Sequence, residues 1–437
     1  MNEQISQSDI NSEGHLTIGG CDAVSLAHQF GTPLVVYDVN QIKSQIEHFQ
    51  EVFKNNDVEY AVCYASKAFA NTAMYQLVDS MDCHVDVVSA GEMSMALHAG
   101  FPAEHMTFHG NNKSRAELQM AIDNHVGVIA LDNFHEIDLL NEVLESSDAK
   151  TKVMMRITPG ISAHTHEFIQ TGQVDSKFGF DLESGEAEQA LQAVLKHPRM
   201  DLIGIHSHIG SQIFELNGFE LAAEKLVQLA ADWKQRFEYE ARVIDVGGGF
   251  GIRYTEDDRP LQPEQFVDAI IKTIKQASQA HGLTTPAVWI EPGRSIVGPA
   301  GYNLYTIGSR KDVKGIRSYV AVDGGMGDNI RPALYEAKYE AVVANRPEAE
   351  IVEHVHLAGK YCESGDILID DLPLPETHPG DVVVMFDTGA YGYSMASNYN
   401  LNPKPAIVFV EDGKATLVTR RETPADLERL DFGLDGK

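Results

Sequence analysis

The sequence predicts two domains of different class: an α/β domain, a (β/α)8 barrel over residues 38–290, and a mostly antiparallel β domain built from residues 291–437 together with 1–37. Three observations carry this expectation. A chain of 437 residues is longer than one hydrophobic core supports. Short apolar or β-branched runs alternate with amphipathic segments up to Ile290, over the roughly 250 residues that such a barrel needs. After Glu291 the runs are separated by turn-rich loops and helical periodicity fades. A doubly wound parallel sheet would produce a similar alternation, so periodicity leaves that architecture open.

Taken in order, a short β piece is expected near 15–18 and a helix over 23–30. Gly31-Thr32-Pro33 breaks that helix, and 34–37 reads as a strand. These N-terminal strands precede the barrel without a helical partner, which assigns them to the β domain. Barrel strands are expected at 60–63, 84–88, 106–109, 127–131, 153–157, 202–208, 243–246 and 287–290. A helix is expected to start over 71–77, and further helices fall between the strands at 91–99, 114–124, 134–146, 184–196, 219–237 and 263–281. The β domain should hold strands at 302–307, 318–322, 341–343, 351–357, 382–385, 406–410 and 415–418, and the acidic tail from Thr423 reads as a terminal helix or a frayed end.

With 34 basic against 64 acidic residues the net charge is −30, which excludes a surface able to neutralise a row of phosphates. Hydrophobic residues at 43% with 36 glycines are ordinary for a soluble globular protein. Cys21, Cys63, Cys83 and Cys362 form no CxxC pair and suit a reducing compartment. Residues 1–11 are polar and acidic, unlike a signal peptide, and no run is long enough to span a bilayer. A cytoplasmic protein with no nucleic-acid or membrane partner is expected.

Barrel chemistry sits where strands end. Tyr64-Ala65-Ser66-Lys67-Ala68-Phe69 places a lysine after the first strand. An amine losing hydration there becomes more nucleophilic toward an aldehyde, although alone it reads as a surface lysine. Asp86, Ser89 and Glu92 follow the second strand, Arg156 the fifth, and His206, Ser207, His208 and Ser211 the sixth. Gly247-Gly248-Gly249-Phe250-Gly251 follows the seventh; its backbone amides could approach an anion, or it could be a tight structural turn. It has neither Walker A nor GxGxxG spacing. Glu291-Pro292-Gly293-Arg294 follows the eighth, a carboxylate in a stiff turn that could serve a pyridine nitrogen or an arginine. His206 and His208 alternate on a strand, but the set lacks metal-ligand spacing, so no metal is expected.

These segments, with 323–335, 359–366 and 388–393, span nearly the whole chain in order, and together they resemble the fold-type-III pyridoxal-phosphate decarboxylases, an alanine-racemase-like architecture. Within that family the chain is similar to the diaminopimelate decarboxylases. The resemblance implies that pyridoxal 5'-phosphate is held by Lys67 through its amine. It implies that His208 stacks on the ring, and that Ser211, Gly247, Gly248, Gly249 and the Glu291, Pro292, Gly293, Arg294 loop hold phosphate and ring. Glu291 would pair with the pyridine nitrogen, Tyr391 would reach phosphate and substrate, and Asp86 and Arg156 would stand around the lysine.

It further implies that Cys362 in Lys360-Tyr361-Cys362-Glu363-Ser364 is the proton donor, with Glu363 at the substrate's distal amine. Alone, Cys362 reads as a small packed hydrophobe. Arg294, Arg331 and Tyr335 match residues that bind the distal carboxylate, which suits a bidentate arginine; alone, Arg331 before Pro332 reads as a helix-end surface residue. Ser66 stands where many relatives carry Val or Phe and should face away from the ring. The resemblance implies a homodimer with shared active sites and decarboxylation of meso-2,6-diaminopimelate to L-lysine, the last step of lysine biosynthesis. Alternatives are a decarboxylase of ornithine, arginine, lysine or a carboxyspermidine-like compound, and a catalytically inactive regulatory relative.

Overall fold

The computed structural model describes residues 5–161 and 176–436; the start of the polar N-terminal stretch, residues 1–4, lies outside them. The chain divides into two compact units, Ser44–Ile252 with Arg259–Ile296, and Met1–Lys43 with Arg253–Asp258 and Val297–Lys437.

The first unit is a closed parallel barrel. Its strands are β1 (Tyr60–Ala65), β2 (His84–Val87), β3 (Met106–Phe108), β4 (Val128–Leu131), β5 (Thr151–Thr158), β6 (Met200–His206), β7 (Val243–Asp245) and β8 (Ala287–Ile290). Each pairs in parallel with the next, and β8 returns to β1 through Val288, Trp289 and Ile290, so the sheet has no free edge and is not doubly wound. Val128, Met154, Ile203 and Val243 fill one layer inside it.

Helices follow the strands because the connecting turns carry strong start signals. Asn71, Ser89, Ser114 and Asn133 accept from the backbone N–H of Met74, Glu92, Glu117 and Glu136, capping helices Thr72–Ser80, Ala90–His98, Arg115–Asp123 and Phe134–Ser147. At Ser114 the Glu117 carboxylate reciprocates. The long helix Val39–Asn55 escaped the sequence reading. Its buried Ile42, Ile46, Phe49 and Phe53 recur at helical spacing, so the signal was present.

In the second unit the strand Leu34–Asp38 lies between Gly301–Val313, antiparallel, and Ala406–Glu411, parallel. Gly301–Val313 also pairs antiparallel with Arg317–Val322 and Val382–Met385. Alternate residues Leu34 and Val36, Val382 and Val384, and Ala406, Val408 and Val410 share one core. The short β piece is Thr17–Ile18, paired with Cys21–Asp22 in a sheet of its own. The tail forms a short helix, Pro424–Glu428. Sequence reading missed the strand Ile367–Leu374, where Asp370, Asp371 and Pro373 disguise the pattern; it pairs antiparallel with Glu353–Ala358 at the end of its sheet. Cys362 and Glu363 lie in the turn between these two strands, and Arg331 and Tyr335 begin and end the short helix Arg331–Tyr335.

One buried ion pair fixes the barrel beneath its rim. Lys113 donates to Gly110 O at 2.8 Å, Ala130 O at 2.6 Å and Glu136 Oε1 at 2.7 Å, while Glu136 Oε2 accepts from the Asp132 N–H. All three ammonium protons are thereby used. Lys113→Ala should destabilise the protein by about 3–5 kcal/mol, because it strands the buried Glu136 charge, whereas Lys113→Met with Glu136→Leu should recover most of that loss. Urea unfolding of the three proteins tests this.

Candidate active site

The rim of the barrel gathers titratable groups because parallel register puts strand ends side by side. His206 at the end of β6 is in register with Arg156 of β5 and Asp245 of β7. Asp86 near the end of β2 lies opposite Ala65, the last residue of β1. The chain then turns through a single 3-10 turn, Ser66–Ala68, which presents Lys67 outward with its side chain 43% exposed and Nζ 4.0 Å from Asp86 Oδ2.

Glu291, directly after β8, is the electrostatic centre. His206 Nε2 hydrogen-bonds its Oε2 at 3.1 Å, and His109 Nε2 lies 2.8 Å from its Oε1, without the alignment of a hydrogen bond. Burial pushes the Glu291 carboxyl up, but His109 and His206 together outweigh it and hold the pKa well below the ordinary range. Burial likewise opposes protonation of His109, yet Glu291 and Asp86 raise its pKa. His206, with the same partner, is pushed down to about 4 by burial, with His109 and Arg156 adding to it against the pull of Glu291. Burial and then Glu291 lift Asp245 well above the carboxylate range, which favours its neutral form. One stable negative charge thus stands among groups tuned around it. His109, His206 and Glu291 have ligand atoms within 4.8 Å of one another, a spacing a metal ion would accept, but here the carboxylate is engaged by the imidazoles themselves.

The glycine turn lies beside this centre. Gly247 has φ +71° and Gly249 φ +103°, and a Cβ on Gly248 or Gly249 would overlap the backbone oxygen of Glu291 or Gly210. Gly247 N–H donates to Asp245 Oδ1 at 2.8 Å. Gly248 N–H donates to His208 Nδ1 at 3.3 Å, which requires Nδ1 to be unprotonated. Burial, then Lys67 and Arg156, also push the His208 pKa well below its usual value, so its half-buried ring is neutral and flat. Arg294, buried, donates to Ser211 Oγ through Nη2 at 3.0 Å and Nε at 3.3 Å. Pro292 O accepts from Ala65 N–H at 3.2 Å, and a Cβ on Gly293 would come within 3.0 Å of Ala65 and Ala68 Cβ, so this loop seats the Lys67 turn. Arg156 lies 3.8 Å from Asp132 and 4.3 Å from the centre of the Phe178 ring.

The β unit holds the other candidates. Arg331 is buried, not a surface helix-end residue: its Nη1 donates to Tyr254 OH at 3.0 Å and Tyr339 OH at 2.7 Å, with the guanidinium over both rings. Tyr335 is half-buried. Cys362 is exposed rather than packed, and its N–H donates to Asn400 Oδ1 at 2.9 Å. Glu363 is exposed and accepts from Gly365 N–H. Tyr391 is half-buried with φ +62°, a conformation that is costly for a bulky side chain. His109 is the residue that sequence reading overlooked. It stands directly after β3, so the rule of reading each strand end would have found it.

Whether these groups fit pyridoxal phosphate is testable on the barrel alone. Asp86 Oδ1, Asp245 Oδ2 and Glu291 Oε1 are buried and have no hydrogen-bond partner. An acceptor kept ionised suits a pyridinium N–H, a glycine turn without room for side chains suits a phosphate, and an amine stands on the same rim. The residues fit the cofactor.

The His206 assignment has a pH signature. Its unfolded pKa is about 6.5 and its folded value about 4, so as pH falls from about 6.5 to 4.5 the unfolded chain takes up a proton the folded one refuses. Stability therefore falls with pH in that window, by up to about 1.4 kcal/mol per pH unit for this group. His206→Gln should flatten that limb of a urea-midpoint profile.

The family described as pyridoxal-dependent decarboxylase, pyridoxal binding domain, matches residues 39–298. The chain is 54% identical over 413 residues to a diaminopimelate decarboxylase of Bacillus methanolicus, covering 94% of this chain and 96% of the relative. It is 53% identical over 422 residues to that of Bacillus subtilis, covering 97% and 96%. Among solved structures, a diaminopimelate decarboxylase from M. jannaschii in complex with L-lysine superposes with a TM-score of 0.91 at 35% identity, covering 97% of each chain. The closed parallel barrel and the separate β-sheet unit agree with these likenesses. The chain belongs to the pyridoxal-dependent decarboxylases and, within them, to the diaminopimelate decarboxylases, whose members remove CO2 from meso-2,6-diaminopimelate to leave L-lysine.

Proposed function

We propose that this chain carries out that reaction with Lys67 and Cys362 as its catalytic residues, in a homodimer whose subunits share active sites, in the cytoplasm. The observation that supports it most is the ionised Glu291 carboxylate between two imidazoles, on the same rim as Lys67 and the glycine turn. Among the described residues no helix is long and apolar enough to cross a membrane.

Bound here, pyridoxal phosphate supplies the electron sink for the pair left by the departing carboxylate. Lys67 Nζ holds the cofactor aldehyde, with Asp86 beside it to favour the charged amine at rest. Gly247, Gly248, Gly249, Ser211 and Arg294 hold the phosphate, with Pro292 and Gly293 shaping the loop around it. The neutral His208 ring gives a flat surface without adding charge. Glu291 accepts the pyridine N–H, and because His109 and His206 keep it ionised, that proton stays on nitrogen. Cys362 Sγ–H then delivers a proton to the substrate α-carbon after CO2 has left; an untuned thiol with a pKa of about 8.5 is protonated near neutrality.

Selectivity lies at the far end of the substrate. Arg331, Tyr335 and Arg294 bind the distal carboxylate and Glu363 the distal ammonium, while Tyr391 reaches phosphate and substrate. The box of Tyr254 and Tyr339 holds Nη1 of Arg331 and fixes the plane of its guanidinium. A cationic tail such as that of ornithine, lysine or arginine would meet this guanidinium and be repelled.

CO2 release should be found with meso-diaminopimelate and not with ornithine, lysine or arginine; release from one of those three instead would overturn the substrate, and none from any of the four would favour a regulatory relative. Arg331→Ala should lose meso-diaminopimelate turnover by about a hundredfold or more while retaining the bound-cofactor absorbance. Mixing Lys67→Ala with Cys362→Ala protein should restore activity through hybrid dimers; no recovery after demonstrated subunit exchange would rule out shared sites.

A further inference from the structure

We propose that Asp366 is the positioning residue for the Cys362 turn, its carboxylate tying that turn to segment 324–331, which leads into Arg331. The inference rests on the reading of Cys362 as proton donor and adds to it the group that aims the thiol.

The turn's own bonds are local ones, such as Glu363 N–H to Tyr361 O at 2.8 Å and Gly365 N–H to Glu363 Oε1 at 3.3 Å, and they do not tie it to segment 324–331. Cys362 and its neighbours Glu363 and Ser364 are exposed, and a short exposed turn ordinarily samples several conformations. Asp366, by contrast, is 3% exposed and sits at the base of the turn. Its Oδ2 accepts from the N–H of Tyr361, the residue before Cys362, at 2.9 Å. Its Oδ1 accepts from Met326 N–H at 2.7 Å. One side chain thus bonds two stretches of backbone, one leading to the thiol and the other to the buried guanidinium.

The surroundings are shaped to this carboxylate. A Cβ on Gly325 would lie 2.5 Å from Oδ1, and one on Gly359 would overlap Oδ2, so neither position has space for a side chain while Asp366 holds its place. The backbone reinforces the same junction: Gly359 N–H donates to Asp366 O at 3.0 Å, Asp366 N–H to Glu363 O at 3.1 Å and Lys360 N–H to Gly324 O at 2.9 Å. On the thiol side, Cys362 N–H is taken by Asn400 Oδ1. On the arginine side, Asp328 Oδ1 accepts from Gly325 N–H at 3.0 Å.

The chemistry explains why an acid is needed rather than an amide. Two N–H donors approach different oxygens, and only a carboxylate offers an acceptor at both. In Asp366→Asn one oxygen becomes an NH2 group facing an N–H, which breaks one bond and leaves two donors opposed. The volume is unchanged, so the substitution loosens the turn without opening a cavity. A donor displaced by about 1 Å transfers its proton far more slowly, whereas substrate bound at its distal end is little affected.

The test is a double-mutant cycle on the cofactor-loaded enzyme, with kcat and KM for meso-diaminopimelate measured separately. Cys362→Ala is expected to lower kcat about a hundredfold. Asp366→Asn is expected to lower kcat about tenfold or more, with KM within about threefold and the cofactor absorbance unchanged. The double variant is expected to be no slower than Cys362→Ala, since Asp366 has nothing to aim once the thiol is gone. Losses that multiply, or an Asp366→Asn enzyme with full kcat, would overturn the proposal. The rate of Cys362 alkylation by iodoacetamide gives a readout independent of turnover, because the other three cysteines are buried; it is expected to change in Asp366→Asn, and an unchanged rate counts against the staple. A fully active Cys362→Ala enzyme overturns the proton-donor reading, and the aiming role with it. Should Asp366→Asn fail to fold, Gly359→Ala, which pushes on the same carboxylate without removing it, takes its place in the cycle with the same expectations.

Discussion

A buried negative charge has to be compensated, and in this barrel the compensation of Glu291 determines the arrangement around it. Desolvation alone would neutralise the carboxyl. Two imidazoles at its two oxygens reverse that, and the rest of the rim follows from the resulting charge. A second carboxylate beside it, Asp245, is driven toward its neutral form. Asp86 is also lifted by burial, although His109, Lys67 and Arg156 draw it down. Burial opposes a proton on both imidazoles; at His109 Glu291 and Asp86 together overcome it, whereas at His206 the neighbouring His109 and Arg156 add to it and the ring stays neutral. Identical side chains with one shared partner therefore differ in protonation through their second neighbours.

The barrel makes this possible by closing. Register places Arg156, His206 and Asp245 abreast, and the return of β8 to β1 brings Glu291 beside the turn that carries Lys67. A glycine or proline stands where backbone meets backbone, as at Gly248 against Glu291 and Pro292 against Ala65. Lys113 and Glu136 hold the next layer, and through Asp132 they reach Arg156. The Lys113–Glu136 pair beneath the rim has its ammonium fully hydrogen-bonded, which is the condition under which buried charge is tolerable.

The β unit uses a different device. Arg331 is desolvated between two tyrosines, an environment that fixes the plane of its guanidinium, while Cys362 remains exposed on a turn. Asp366 lies between these two, bonded to backbone leading to each. A selective site and a reactive one make opposite demands, rigidity for the arginine and access for the thiol, and the two environments meet them separately.

Much of this was legible in the sequence. The strand–helix rhythm located all eight barrel strands, because period and capping residues are local properties of the chain: Asn71, Ser89, Ser114 and Asn133 announce their helices wherever the fold places them. Lys67, His208, the glycine turn and Glu291 were likewise marked by their position after strands, and Asp86 by its place near the end of one. Barrel closure was not legible, since an open sheet has the same periodicity and only the pairing of Ile290 with Val62 excludes it. Nor were the burial of Arg331, the exposure of Cys362 or the protonation of His109. Each depends on neighbours tens to hundreds of residues away, and desolvation and Coulomb interaction act through space, where sequence order carries no distance.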